Sequence, residues 1–270
     1  MKAGVSIVPW AVSRSPVRAR PCRAVTLNLI GRGFYYNIGV MMNLVLLLLL
    51  QAETIHAEDI RKHQEVLAAD EMEGREIGSE GGHKAALYIA EHVKKLGFKP
   101  GGAEETWFAP FGKLEGRKPG ERGAKNIVAV WPGKDAEYVV LGAHYDHVGK
   151  GLRNSNRAAG SKPGEIHNGA DDNASGTSTL LDVAEAVSKS SFRRTVVLMW
   201  FDGEEVGLAG SKAWASAPTL DLSKCRAMVN CDMIGRNGEK EVYCGLEKGE
   251  TGAAKYPKFE AAVKEVEKAS

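Results

Sequence analysis

Three observations make this 270-residue sequence an α/β protein. Short apolar, β-branched runs recur at Asn126–Trp131, Glu137–Ala143, Ala227–Cys231 and at the start of Thr195–Ser211. Between them lie segments with apolar residues every three or four positions, the spacing of an amphipathic helix. Strand runs and helical segments alternate, which predicts a largely parallel or mixed sheet. Composition agrees: 43% hydrophobic and 26% charged residues suit a folded domain with one sizeable core. A formal net charge of +2 provides no field for a polyanion, so nucleic acid is excluded as a partner.

Residues 1–57 form a leading segment and 58–270 the folded domain. Lys2, Arg14, Arg18, Arg20, Arg23 and Arg32 precede the first acid, Glu53, and no folded element is expected before Gly33. Met41–Leu50 is strongly apolar but shorter than the ~20 residues of a membrane span. It reads as the core of a signal peptide with Ala57 as the cleavage point, so the expected location is secreted or periplasmic. An uncleaved membrane anchor, a basic presequence, and a true start at Met41 or Met42 are the other readings.

His83–Leu96 carries Ala86, Ile89, Ala90, Val93 and Leu96 on one face, with Gly97 to end the helix. Pro132-Gly133 joins the first two strand runs by a turn. Thr177–Lys189 repeats the helical spacing through Leu180, Leu181, Ala184 and Val187, and Pro257–Lys268 is a terminal helix with Phe259, Val263 and Val266 on one side. Cys22, Cys225, Cys231 and Cys244 have no Cys-x-x-Cys spacing, so no thiolate metal site or dithiol centre is indicated. Cys231, in an apolar run, is expected in the core.

The strand ends hold the chemistry. Glu137–Ala143 runs into His144-Tyr145-Asp146-His147, and alternation would turn His144 and Asp146 to one side and Tyr145 and His147 to the other. The central run breaks at Asp202-Gly203, turn residues followed by the adjacent carboxylates Glu204 and Glu205, which repel unless a cation holds one. Ala227–Cys231 ends in Asp232, and Asp171-Asp172 opens the intervening helix. Each has an ordinary explanation on its own: a solvated acidic turn, a hydrogen-bonded histidine, a helix cap. Together they give an oxygen-rich set with one imidazole, which suits zinc or another divalent ion. His-Glu-x-x-His, Gly-x-Ser-x-Gly and Walker-type motifs are absent.

From about His63 to Gly235 the ordered motifs LAADEMEGREIGSEGG, GAHYDHVG, NGADDNASG, FDGEEVGLAGS and NCDMIG resemble the bacterial leucyl aminopeptidase type of co-catalytic zinc exopeptidase. The superfamily includes glutamate carboxypeptidase, glutaminyl cyclases and the silent transferrin receptor. The resemblance implies a three-layer sandwich and two zinc ions: His144 and Asp232 on one, Glu205 on the other, Asp172 bridging. Glu204 would be the general base for a metal-activated water and Asp146 would orient His144. The substrate would be peptide or protein N-termini, with the membrane a partner only if the leading segment stays uncleaved. A glutaminyl cyclase-like enzyme and an inactive fragment or binding module are the alternatives.

One departure stands out. The family's second zinc takes a histidine well downstream of the Asp232 position, and this sequence has none after His167. The expectation is a domain lacking its C-terminal end, with one tight zinc site, a weak second site and an exposed sheet edge. Replacement of that histidine by His147 or His167 is disfavoured, since neither lies at the matching strand end.

Overall fold

A computed structural model describes residues 4–7, 55–112, 123–151, 162, 164–235 and 244–246. Its strands are β1 (Gly4–Ile7), β2 (Lys99–Pro100), β3 (Phe108–Pro110), β4 (Lys125–Trp131), β5 (Asp135–His144), β6 (Arg194–Phe201), β7 (Cys225–Asp232) and β8 (Cys244–Leu246). Its α-helices are α1 (Ala57–Leu67), α2 (Glu80–Lys95), α3 (Gly176–Ser188) and α4 (Ala209–Ser216). The strands make one mixed sheet in the order β2-β4-β6-β5-β7-β1-β8, with β3 also on β4. At its centre β6, β5 and β7 run parallel, so the ends of all three open on the same edge.

Period-two alternation divides the strand side chains between two cores. Ile127, Ala129, Val139, Val196, Leu198 and Trp200 meet Leu67 of α1, Ile89 and Val93 of α2, and Leu180, Leu181 and Val187 of α3. Val128, Val140, Val197, Met199 and Phe201 face the other way, onto Trp214 of α4. The result is the expected three layers, each buried aliphatic side chain contributing about 2 kcal/mol of burial.

Four differences from expectation have physical causes. Helix α2 begins three residues earlier than its apolar spacing shows, because the Ser79 hydroxyl accepts from the Gly82 amide at 3.0 Å. Helix α1 shows no apolar period in the sequence, since only His63 and Leu67 are buried. The Pro132-Gly133 turn does not join neighbours, because β6 enters the sheet between β4 and β5. Within the leading segment, Gly4–Ile7 is a strand after all, antiparallel to β7 with Gly4 opposite Asp232. That pairing covers the edge expected to be exposed; β7 leaves a row of open backbone groups, and any extended segment can satisfy them.

Cys231 is half-buried and not in either core. The apolar run at 41–50 and the terminal helix at 257–268 lie outside the described residues. Among the described residues no helix is long and apolar enough to cross a membrane.

Candidate metal centre

The sheet edge brings the predicted residues together. His144 ends β5, Asp232 ends β7, and Asp172 lies in the turn Ala170–Ser175 that leads into α3. His144 Nε2 is 3.4 Å from Asp172 Oδ1 and 3.4 Å from Asp232 Oδ1. Two ligand atoms of a tetrahedral ion with bonds of 2.0–2.1 Å lie roughly 3.3 Å apart, so both distances from His144 suit a zinc ion, and all three ligand atoms lie within 4.8 Å of one another. Asp232 Oδ1 is buried with no hydrogen-bond partner, as a ligand atom would be.

A second group shares Asp172. His147, Asp172 and Glu205 each offer a ligand atom, all within 4.8 Å of one another. His147 Nδ1 is 2.6 Å from Glu205 Oε1 and 3.9 Å from Asp172 Oδ2. The alternation expected through HYDH therefore holds for Tyr145, which is in the core, and fails for His147. The strand ends at His144, and the turning chain carries His147 back to the side of His144, its amide donating to the Arg75 carbonyl at 3.2 Å. His167 is in neither group.

Asp146 touches more than His144. His144 Nδ1 meets the Asp146 backbone carbonyl at 3.2 Å and its carboxylate at 3.6 Å. That same carboxylate accepts from the Glu204 amide at 3.0 Å and the Glu205 amide at 3.3 Å. It thus locks the two acidic residues to the end of β5. The turn before them needs Gly203, at φ +72 and with Ile77 2.5 Å from where a Cβ would stand. Asp202 is no exposed turn residue: its carboxylate accepts from the Lys125 amide at 3.1 Å, and burial, followed by Asp146, holds it up at about 8.

The charges are strongly coupled. Burial opposes a charged His144, yet the carboxylates of Asp146, Asp172 and Asp232 outweigh it and hold the imidazolium well above its ordinary value. Burial likewise pushes Asp172 up, and His144, helped by His147 and Arg75, more than reverses it, leaving the carboxyl low. Glu204 is raised to about 7, first by burial, with His144 opposing and Asp146, Glu205 and Asp232 adding to the rise.

Behind these acids is a residue quoted in the sequence motif but given no role. Arg75 is 1% exposed, and its guanidinium donates to the carbonyls of Tyr145 at 2.9 Å, Asn168 at 2.7 Å, Gly169 at 2.9 Å and Leu67. It ties the loops that carry His144 and Asp172, and its charge lies within reach of Asp146, Asp172 and Glu205; burial still lowers it to about 10. Asp171 accepts from the Gly235 amide at 2.8 Å. Asn173, fully buried, donates to the Cys231 carbonyl at 3.0 Å and accepts from the Gly176 and Met233 amides. Both fix the loop after Asp232, which local sequence patterns do not reveal.

Imidazoles and carboxylates gather where parallel strands end, in two candidate metal-ligating groups that share Asp172. The chain belongs to peptidase family M28, which matches residues 126–270. It is 30% identical over 189 residues to the probable leucine aminopeptidase of Trichophyton verrucosum, covering 68% of this chain and 47% of that protein. With leucine aminopeptidase 1 of Ajellomyces capsulatus it shares 31% over 166 residues, 58% and 38% of the two chains. The chain therefore spans less than half the length of these relatives.

The fold is that of a Zn-dependent exopeptidase from Parabacteroides distasonis (TM-score 0.54, 20% identity, 67% of this chain and 62% of that one). It is also that of Porphyromonas gingivalis glutaminyl cyclase (TM-score 0.55, 19% identity, 68% and 63%).

Proposed function

We propose that the protein is a zinc-dependent exopeptidase that removes residues from peptide N-termini. The observation that carries this reading is the His144–Asp172–Asp232 group, with His144 Nε2 3.4 Å from an oxygen of each aspartate, beside the half-buried Glu204. His144 and Asp232 would hold one ion, Glu205 and His147 the other, with Asp172 between them. When bound, the ions would supply Lewis acidity to a peptide carbonyl and make nearby water more acidic.

The chain's own residues do the rest. Glu204, not needed as a ligand, takes the proton of the attacking water and returns it to the leaving amine. Asp146 keeps that carboxylate in place through the Glu204 amide, and Arg75 keeps the two flanking loops at a fixed separation. Asp172 and Asp232 are the most open of the set, with side chains about one-third exposed, so substrate would approach from their side. Export of the protein, guided by residues 41–50, belongs to the same proposal.

The test is release of amino acid from an aminoacyl-p-nitroanilide, abolished by a chelator and restored by zinc. Metal-loaded protein that hydrolyses no aminoacyl or peptide substrate would sink the reading.

A further inference from the structure

A third group of metal-ligating side chains lies on the helical layer, apart from the strand ends. His63 of α1, His92 of α2 and Glu185 of α3 offer one ligand atom each, all within 4.8 Å of one another. The His63 and His92 rings meet edge to face with centroids 4.6 Å apart. His92 Nε2 lies 3.8 Å from Glu185 Oε1, about half an ångström beyond the roughly 3.3 Å edge of a zinc tetrahedron.

The surroundings prepare the rings for a cation. His63 is 8% exposed and its Nδ1 is 2.7 Å from the Tyr88 hydroxyl, which leaves the other ring nitrogen for a different partner. The His92 Nε2 is buried and has no hydrogen-bond partner. A buried imidazole nitrogen left free of hydrogen bonds is what a metal-binding histidine presents. Burial also drives both rings toward the neutral form a metal needs, His63 down to about 4, with His92 adding to that lowering. Glu185 supplies the one negative charge, its other oxygen 3.9 Å from Lys189 Nζ.

We propose that His63, His92 and Glu185 form a zinc site that fastens α1 to α2 and α3. Two imidazoles and a carboxylate are a zinc donor set, and the half-open edge beside Glu185, whose side chain is 30% exposed, leaves room for water to complete the coordination. The site bears on the strand ends through α1: Gln64, next to His63, donates to the Ala170 carbonyl at 2.6 Å, and Leu67 accepts from Arg75. A bound ion would thus stiffen the helix on which the Asp171-Asp172 loop leans.

The test uses the full chain, stripped by chelator and then titrated with zinc, comparing wild type with His92→Gln and the gentler, partly exposed Glu185→Gln. Both variants are expected to bind one zinc fewer per chain and to lose part of the zinc-induced rise in Tm, while Tm in chelator changes little. His144→Ala, which damages the strand-end group, should keep that helix-layer ion. Unchanged zinc stoichiometry in both variants, or a fall in Tm that is the same with and without zinc, would overturn the proposal and leave a packed histidine pair. Because the readouts are stoichiometry and Tm, this result stands apart from whether any peptide is cleaved.

Discussion

The two histidine-bearing regions are built in opposite ways. At the strand ends, every loop carrying a candidate ligand is cross-tied: Asp146 binds the Glu204 and Glu205 amides, Asp171 binds Gly235, Asn173 binds Cys231, and Arg75 binds four carbonyls. On the helical layer, His63, His92 and Glu185 project from three regular helices and depend on helix packing for their position. The first region can hold an excess of acids because the scaffold fixes them; the second has one acid and two neutral rings. Rigid placement by polar ties suits chemistry on a substrate, while placement by packing suits a fastening.

Removing the ties should have the largest effect. Arg75→Met leaves the carbonyls of Tyr145, Asn168 and Leu67 without their donor and Gly169 with the Ala174 amide alone, at about 1–3 kcal/mol for each one that stays dry. A loss of more than about 3 kcal/mol in urea unfolding is expected, and a variant of wild-type stability would show that the loops hold without it. Next comes Glu204→Gln, which should slow turnover by roughly 10²–10⁴-fold with metal content intact. Glu205→Gln should instead lose metal, and equal metal loss in both would reverse the two roles.

A smaller effect separates the histidines near the strand ends. His147→Ala should weaken binding of the second strand-end zinc in calorimetric titration, and His167→Ala should not, since only His147 joins Asp172 and Glu205. The smallest effect lies beside the helical group. Burial raises Asp182 from 3.8 to about 6, and one of its oxygens is buried without a partner. Between about pH 4 and 6 the folded protein retains a proton there that the unfolded chain has released, so this group's contribution to stability falls as pH rises through that window. Asp182→Asn should therefore raise stability at pH 7 by about 1 kcal/mol and change little below pH 4, as thermal melts at the two pH values would show.

What could be read from sequence follows the range of the interactions. Strands β4 to β7 and helices α2 and α3 announce themselves because burial on a regular element repeats every two or three to four residues. His144, Asp232 and the Glu204-Glu205 pair were visible for a related reason: a polar cluster straight after a buried run must sit at a strand end. Arg75 was not, since its partners are 70 to 94 residues away apart from Leu67, and no local pattern encodes them. His147 was placed wrongly because the two-residue alternation stops where the strand does. The position of β6 between β4 and β5, and the pairing of Gly4–Ile7 with β7, depend on long-range partner choice that strand composition leaves open.

Asn173 begins an Asn-Ala-Ser triplet, the acceptor signal for an N-linked sugar, yet its amide is wholly enclosed and spent on the Cys231 carbonyl. A sugar could reach it only before the chain folds, as the segment leaves a translocation pore. Once attached to Nδ2, it would occupy the space through which α3 and the loop after β7 are joined and displace the bond to the Cys231 carbonyl. Synthesis in a glycosylating secretory pathway would then set a race between modification and folding, and molecules modified there would be retained as misfolded. Yield from such a host should rise when Ser175 is replaced by Ala, even though that change removes the Ser175 hydroxyl's bond to the Asp171 carbonyl.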